Sequence, residues 1–333
     1  AAVGGNDMRD DGAGRDHPAC SSARERAFNL AAVCGWLGAA ATLTLALTPL
    51  ETQADPLDPI VVNEWMAMAT ATQNAQPHWM TPLVTVTPRL EQELRVDVYD
   101  QQNGTGAQGN GYHIYNYGGP GGIRAELIPQ YDTELILAVP PIENSYGPAG
   151  KPNGQGPGDW PAFLVKYRFI AGNEQNGNYI VTAFFQMSDP TGTPGAISNN
   201  VLTAQPTLAL GKGWGDFDIQ MTISQQYPVD SIGPAPKTGT TIGNYGDPIL
   251  WNTTFQYHIM QYLWPELEVN YTYWPNGFHQ DLSQVMLTPG IIFGRFPLGP
   301  PRQFLNFGIG YQFAVTPNPV VANNWVLTAR VTF

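Results

Sequence analysis

The sequence predicts an all-β fold, a transmembrane antiparallel up-and-down β-barrel of about twelve strands, with ten or fourteen also compatible. Three observations predict it. Side-chain polarity has a period of two from Arg89 onward, the connections alternate between short and long, and the chain closes on an alternating strand ending Ala329-Arg330-Val331-Thr332-Phe333.

The first predicted strand, 89–100, sets Leu90, Leu94, Val96 and Val98 on one face and Arg89, Glu91, Glu93, Arg95 and Asp97 on the other. A water-soluble sandwich would have to bury five charges to use such a strand, whereas a barrel with lipid outside and polar groups inside requires this pattern. Further strands are expected at 123–129, 132–139, 162–171, 178–188, 201–211, 215–225, 249–260, 265–274, 284–296, 303–315 and 323–333. Phe217, Ile219, Met221 and Ile223 alternate with Asp216, Asp218, Gln220, Thr222 and Ser224, and Leu267, Val269 and Tyr271 alternate with Glu266, Glu268 and Asn270. Short connections such as Gln130-Tyr131 and Lys212 to Trp214 take turns with long ones at 101–122, 140–161, 189–200 and 226–248, as barrels with one turn end and one loop end require. A soluble lipocalin-like barrel shares the alternation. Aromatic residues near strand ends, among them Tyr167, Trp251, Tyr271, Trp274 and Trp325, favour the membrane case, where a headgroup girdle holds them.

Upstream of the barrel (89–333) the chain divides into three parts. Residues 1–23 read as a polar leader or misplaced start. Residues 24–54 carry Arg24 and Arg26, an apolar run from Ala27 to Leu47, and Thr52-Gln53-Ala54, the pattern of a secretory signal peptide. Residues 55–88 are either a periplasmic arm or a plug; Ile60 to Thr72 can form a helix with Val61, Trp65, Met68 and Thr72 along one side before Pro77, Pro82 and Pro88. The two cysteines, Cys20 and Cys34, precede the barrel, in keeping with an exported chain without disulfides.

A formal charge of −12 with only 15 Lys and Arg, none of them clustered, disfavours an anionic partner, so no nucleic-acid partner is expected. The 36 Gly and 30 Pro follow no period, which excludes a collagen-like chain.

The runs Glu126-Leu127-Ile128-Pro129, Glu134-Leu135 to Val139-Pro140-Pro141, Gly158-Asp159-Trp160, Lys166-Tyr167-Arg168, Trp274-Pro275-Asn276-Gly277 and Gly294-Arg295-Phe296, with the final Phe333, carry a family likeness. Over residues 89–333 the chain resembles the bacterial outer-membrane transporter family grouped with the meta-pathway of phenol degradation, the MetA-like barrels. The resemblance implies a barrel in a Gram-negative outer membrane, with outer-membrane lipid around it, and passage of small solutes, aromatic or hydrophobic ones included. It supplies no catalytic or binding residues. The barrel assembly machinery is the expected partner of the last strand, with its terminal Phe333.

Chemistry-bearing motifs are scarce, so the expectation is a non-enzyme without metal or cofactor. His78, His113, His258 and His279 stand at no metal-ligand spacing. His258, with Glu266 or Glu268 across the next strand, is the one acid-base pairing the pattern allows, the basis of a minor hydrolase reading. The reading that the residues favour is a channel passing small solutes by diffusion, the alternative being a structural or adhesive barrel. Its expected pore lining is Arg89, Glu91, Glu93, Arg95, Asp97, Arg124, Glu126, Glu134, Lys166, Arg168, Asp216, Asp218, His258, Glu266, Glu268 and Arg330. Opposed charged patches either orient solutes in a transverse field or pair and close the lumen. From Asp55 onward 21 acidic residues outnumber 11 basic ones, which favours cations if the pore is open. Tyr112, Tyr115 and Tyr117, beside the Gly-rich stretches 104–111 and 118–122, are expected to contact ligands from an external loop.

Overall fold

The computed structural model describes residues 59–106, 109–192, 198, 200–231 and 245–333. The leader and signal-peptide readings fall outside them.

Among the described residues a helix, α1 (Pro59–Asn74), is followed by sixteen strands. In chain order these are β1 (Glu93–Asn103), β2 (His113–Tyr117), β3 (Ile123–Gln130), β4 (Thr133–Val139), β5 (Ile142–Tyr146), β6 (Pro152–Pro157), β7 (Trp160–Gly172) and β8 (Tyr179–Asp189). The second half comprises β9 (Val201–Trp214), β10 (Phe217–Gln225), β11 (Tyr227–Ser231), β12 (Ile249–Tyr257), β13 (Leu263–Tyr273), β14 (Ser283–Pro297), β15 (Phe304–Ala314) and β16 (Val321–Thr332).

Twelve of the strands make a closed wall. They run β1-β3-β4-β7-β8-β9-β10-β12-β13-β14-β15-β16 with every pair antiparallel, and β16 returns to β1 from Glu93↔Thr332 to Asn103↔Val321. Closure removes the unpaired edges that an open sheet would leave. The wall reproduces the expected twelve elements to within a few residues at each end, because strict alternation fixes both the face and the register of a strand.

Leu94, Val96, Leu137, Val165, Phe185, Ile223, Leu267, Phe307, Ile309 and Leu327 are exposed on the outside. Glu93, Arg95, Asp97, Glu134, Lys166, Gln220, Thr254, Glu268 and Arg330 point inward and are buried. This is the inverse of a water-soluble protein, whose apolar groups go inside. No described helix is long and apolar enough to cross a membrane.

The remaining strands were not expected. At the long-loop end β1 forks: its first residues pair β3, while Val98–Gln102 pair β2, which continues into β5 and β6. These strands come from segments read as loop, since Gly, Pro and Asn hide strand propensity there and only pairing with β1 organises them. β11 likewise extends β9 beyond the end of β10.

The stretch read as the start of the first strand is not part of the wall. β1 begins at Glu93, and residues 89–93 are all buried without alternation, which departs from the expected 89–100. Residues 75–92 instead enter the barrel from the short-turn end.

Candidate functional site

The inserted segment is closed into a loop by one side chain. Gln76 donates from Nε2 to the Leu90 carbonyl at 2.7 Å and accepts the Leu90 N–H at Oε1 at 2.9 Å. A carboxamide is the one neutral side chain that pairs with a backbone unit in this two-point fashion. At the same level Arg168 donates to the Thr72 carbonyl at 2.8 Å and to Asp132 at 2.5 Å, and Trp65 of α1 donates to the Ile128 carbonyl at 2.6 Å. Arg302 holds the helix through the Met66 carbonyl at 3.0 Å and Gln73 at 2.7 Å, and reaches the Phe333 carbonyl at 3.2 Å. The helix, the loop base and the C-terminus are thereby tied together.

Between Gln76 and Leu90 the loop runs through the lumen and needs partners for its backbone, since an orphaned buried polar group costs about 1–3 kcal/mol. Two charged walls supply them. On the basic wall Arg95 stands in register between Arg124 on β3 and Arg330 on β16. Three adjacent guanidinium groups repel one another. They are offset by Asp97, 2.9 Å from Arg95 and 3.3 Å from Arg124, by Glu126, 3.0 Å from Arg124, and by the loop. Arg330 donates to the Pro82 carbonyl at 2.6 Å and to the Thr81 carbonyl, and Arg95 donates to the Leu83 carbonyl at 2.7 Å.

The acidic wall is β13. Glu266 accepts the Leu83 N–H at 3.0 Å, and Glu268 accepts those of Val84 at 2.7 Å and Thr85 at 2.6 Å. The loop's carbonyls therefore face the arginines and its N–H groups the glutamates, so the peptide dipoles lie along the field between the walls.

Strands β14 and β15 lie between those walls and carry the glycines Gly290, Gly308 and Gly310. A Cβ at any of them would come within 2.4 to 2.7 Å of the Leu83 side chain, so the three form a socket that only glycine leaves open. Leu83 is fully buried there with Met80, Tyr99, Trp264, Ile292 and Val326. Trp79 sits in the same way over Gly211 and Gly213.

The rest of the loop is held by Gln220, which donates to the Met80 carbonyl at 2.9 Å and accepts from Thr87 at 2.7 Å, and by Lys166, which donates to the Arg89 carbonyl at 3.2 Å. Lys166 and Glu134 form a 2.9 Å ion pair with no exposure on either side. Glu134 also accepts the Glu91 N–H at 2.6 Å.

Of the residues read as lining, Glu93, Arg95, Asp97, Glu126, Glu134, Lys166, Arg168, Asp218, Glu266, Glu268 and Arg330 point inward and are buried, with Arg124 beside them. Four placements change. Arg89 and Glu91, paired at 2.9 Å, belong to the loop and its return rather than to the wall. Asp216 is 65% exposed, because β10 starts at Phe217 and Gly215-Asp216 is the turn before it. His258 lies just past β12, stacked on Trp264 at 4.4 Å, its Nδ1 4.0 Å from Asp216. Across β12 and β13, Glu266 faces Gln256 and Glu268 faces Thr254, so the His258–glutamate pairing does not form.

Outside the wall, Glu174 in the turn after β7 accepts the His78 N–H at 2.6 Å and lies 2.9 Å from its ring. Partial burial opposes ionisation of Glu174, but these bonds outweigh it and hold the carboxyl at about 2. At the long-loop end a cavity of about 550 Å³ is lined by Gln102, His113, Tyr115 and Tyr146 among others. Tyr115 packs on His113, centroids 4.5 Å apart, while Tyr117 is exposed on β2 and Tyr112 accepts the Asn103 N–H through its carbonyl. Among the described residues no cluster of three or more His, Cys, Asp or Glu is arranged to hold a metal ion.

Sequence reasoning missed the anchors Gln76, Leu83 and Gln220 and the glycine socket. The signal available was Gly308 and Gly310 at inward positions, where missing side chains leave room for something else.

Fold and site together define a closed antiparallel barrel with a segment of its own chain seated in the lumen. No protein-family model matches the chain, and no curated protein matches it. Among solved structures, it is similar to an outer-membrane channel of Pseudomonas putida F1, at 15% identity over 73% of this chain and 96% of that one, with a TM-score of 0.46. It is also similar to the NanC porin, at 10% identity over 72% and 98% of the two chains and a TM-score of 0.43. A third is a loop L8 deletion mutant of OmpT, an outer membrane protein of Vibrio cholerae, at 13% identity over 73% and 97% and a TM-score of 0.31.

Proposed function

We propose that the protein is a channel of the bacterial outer membrane that passes small solutes and is closed, in the state described, by its own Gln76–Leu90 loop acting as a plug. The observation that carries this reading is that the lumen is occupied by a segment that precedes the first strand, held by the side chains of the wall. The charged, glycine-pitted interior is fitted to that segment along its backbone and at Leu83. In a channel the same groups take over from water whenever the plug withdraws.

The apolar exterior supports the membrane location, since exposed apolar belts of this extent are unfavourable in water. The acidic balance of the chain supports a preference for cations once the lumen is open. A role for aromatic or hydrophobic solutes, as the resemblance to phenol-degradation transporters implies, belongs to this proposal too.

Planar-bilayer recording of the purified chain tests it. Rare, brief openings for the parent chain and frequent ones for Glu266→Gln/Glu268→Gln support a plugged channel. Silence from both, with a heat-dependent gel shift showing folded barrel, refutes flux and leaves the structural reading.

A further inference from the structure

The loop is bound in the way a ligand is bound. At Leu83 the N–H meets Glu266 at 3.0 Å, the carbonyl meets Arg95 at 2.7 Å, and the side chain fills the socket left by Gly290, Gly308 and Gly310. On one side the next two N–H groups, of Val84 and Thr85, meet Glu268, and on the other the Pro82 carbonyl meets Arg330. Backbone donors and acceptors are read along a run of residues, and one branched aliphatic side chain is read by shape.

We infer that the lumen between β13 and β1 is a binding site for short peptides carrying a branched aliphatic residue, and that the loop holds this site as an internal surrogate of the solute. The inference rests on the channel reading and names its substrate class. Backbone recognition is tolerant of sequence, because every peptide presents the same N–H and carbonyl groups. The socket adds selection, because a buried aliphatic side chain contributes to affinity and its absence leaves the socket empty.

The arrangement separates a peptide from a free amino acid. The position that Val84 N–H takes in the loop would be taken, in free leucine, by a carboxylate oxygen, which would face Glu268 and be repelled. In a peptide that position is an amide N–H, the group the carboxylate accepts. A leucine-containing peptide therefore fits residue for residue, and leucine itself does not.

The test uses the full chain in detergent and N-acetyl-Ala-Leu-Ala-amide as probe. Hydrogen exchange at the Leu83, Val84 and Thr85 amides, followed by mass spectrometry, reports displacement of the loop, and calorimetry reports binding. The expected result is saturable binding with faster exchange at those amides, and binding about 10- to 100-fold weaker for N-acetyl-Ala-Gly-Ala-amide, the discount a buried leucine side chain carries. Free leucine should bind no better than the glycine peptide. A Leu83→Ser chain, whose own loop no longer fills the socket, should bind the leucine peptide more tightly than the parent. A Gly310→Val chain should lose the preference for leucine over glycine. Failure of the peptide to bind Leu83→Ser, with the barrel shown folded by gel shift, overturns the inference, as does equal binding of the two peptides. Conductance in bilayers without peptide binding sinks the substrate class and leaves the channel; binding without conductance does the reverse.

Discussion

Replacing Glu268 by Gln is the smallest change that removes an anchor of the loop without altering the shape of the lumen. The carboxylate accepts Val84 N–H at 2.7 Å on one oxygen, and Thr85 N–H at 2.6 Å and the Thr254 hydroxyl at 3.2 Å on the other. A carboxamide offers one oxygen and one NH2, so in either orientation one loop N–H meets a donor. The loss comprises one charge-assisted bond, about 1.5–3 kcal/mol, and one orphaned buried donor, about 1–3 kcal/mol. Part is recovered because the carboxylate no longer needs desolvation. A net of about 3 kcal/mol is about a 100-fold shift in the equilibrium between seated and withdrawn loop. Hydrogen exchange resolved at the Leu83, Val84 and Thr85 amides reads this directly: protection should fall by about that factor. Strand amides of β7 and β8 should keep theirs. Unchanged protection in the loop would refute the claim that β13 holds it, and an equal fall throughout the barrel would show that Glu268 supports the wall instead.

Leu83→Ala should empty the glycine socket and weaken seating by about 2–5 kcal/mol, the cost of a buried leucine truncation, seen as more frequent channel openings with an unchanged gel shift. Gln76→Ala removes both bonds to Leu90 and should speed exchange of the Leu90 amide, whereas Gln76→Glu should keep only the bond from Leu90 N–H. At the long-loop end, burial and the nearby Asp159 raise the Glu143 carboxyl to about 7, against the opposing hydrogen bond from Asn116. A raised carboxyl favours the folded loop sheet at low pH, and that advantage is lost as pH rises from about 4.5 through about 7. Protease sensitivity of the β5–β6 hairpin should accordingly increase over that range, and Glu143→Gln should abolish the dependence. The clasp between Glu174 and His78 behaves oppositely: the lowered carboxyl keeps it intact above about 4.5 and releases it only as pH falls toward about 2. Exchange of the deuterated His78 amide at pH 5 should therefore be faster in Glu174→Gln than in the parent, and equality would count against the clasp.

The wall was legible because alternation is a local property: Phe217 to Ser224 declares its two faces without knowledge of any partner. The side of the wall that carries the charges was legible for the same reason, and Lys166 and Glu134, opposite each other on adjacent strands, are both buried there. What such a pattern cannot declare is the occupant of the interior. Arg89 and Glu91 continue the alternation of β1 by coincidence of spacing, and only the three-dimensional path, with Gln76 folded back on Leu90, separates loop from wall. The choice between opposed charges that orient a solute and charges that close the lumen was open for a related reason. The walls do neither by direct pairing across the lumen, because the peptide groups of Pro82 to Thr85 stand between Arg330 and Glu268. His258 keeps the inward side, its ring stacked on the buried Trp264, but it stands one residue past the end of β12 with Asp216 beside it in place of a glutamate.

If the loop closes the lumen, locking it in place should keep the lumen shut. In the Glu268→Gln background, a photo-reactive residue replacing Val84 is recorded in a planar bilayer before and after illumination, and the cross-linked peptide is mapped. Openings are expected before illumination and should be lost once residue 84 is joined to the lumen wall. Openings that persist at full cross-linking would contradict closure by the loop.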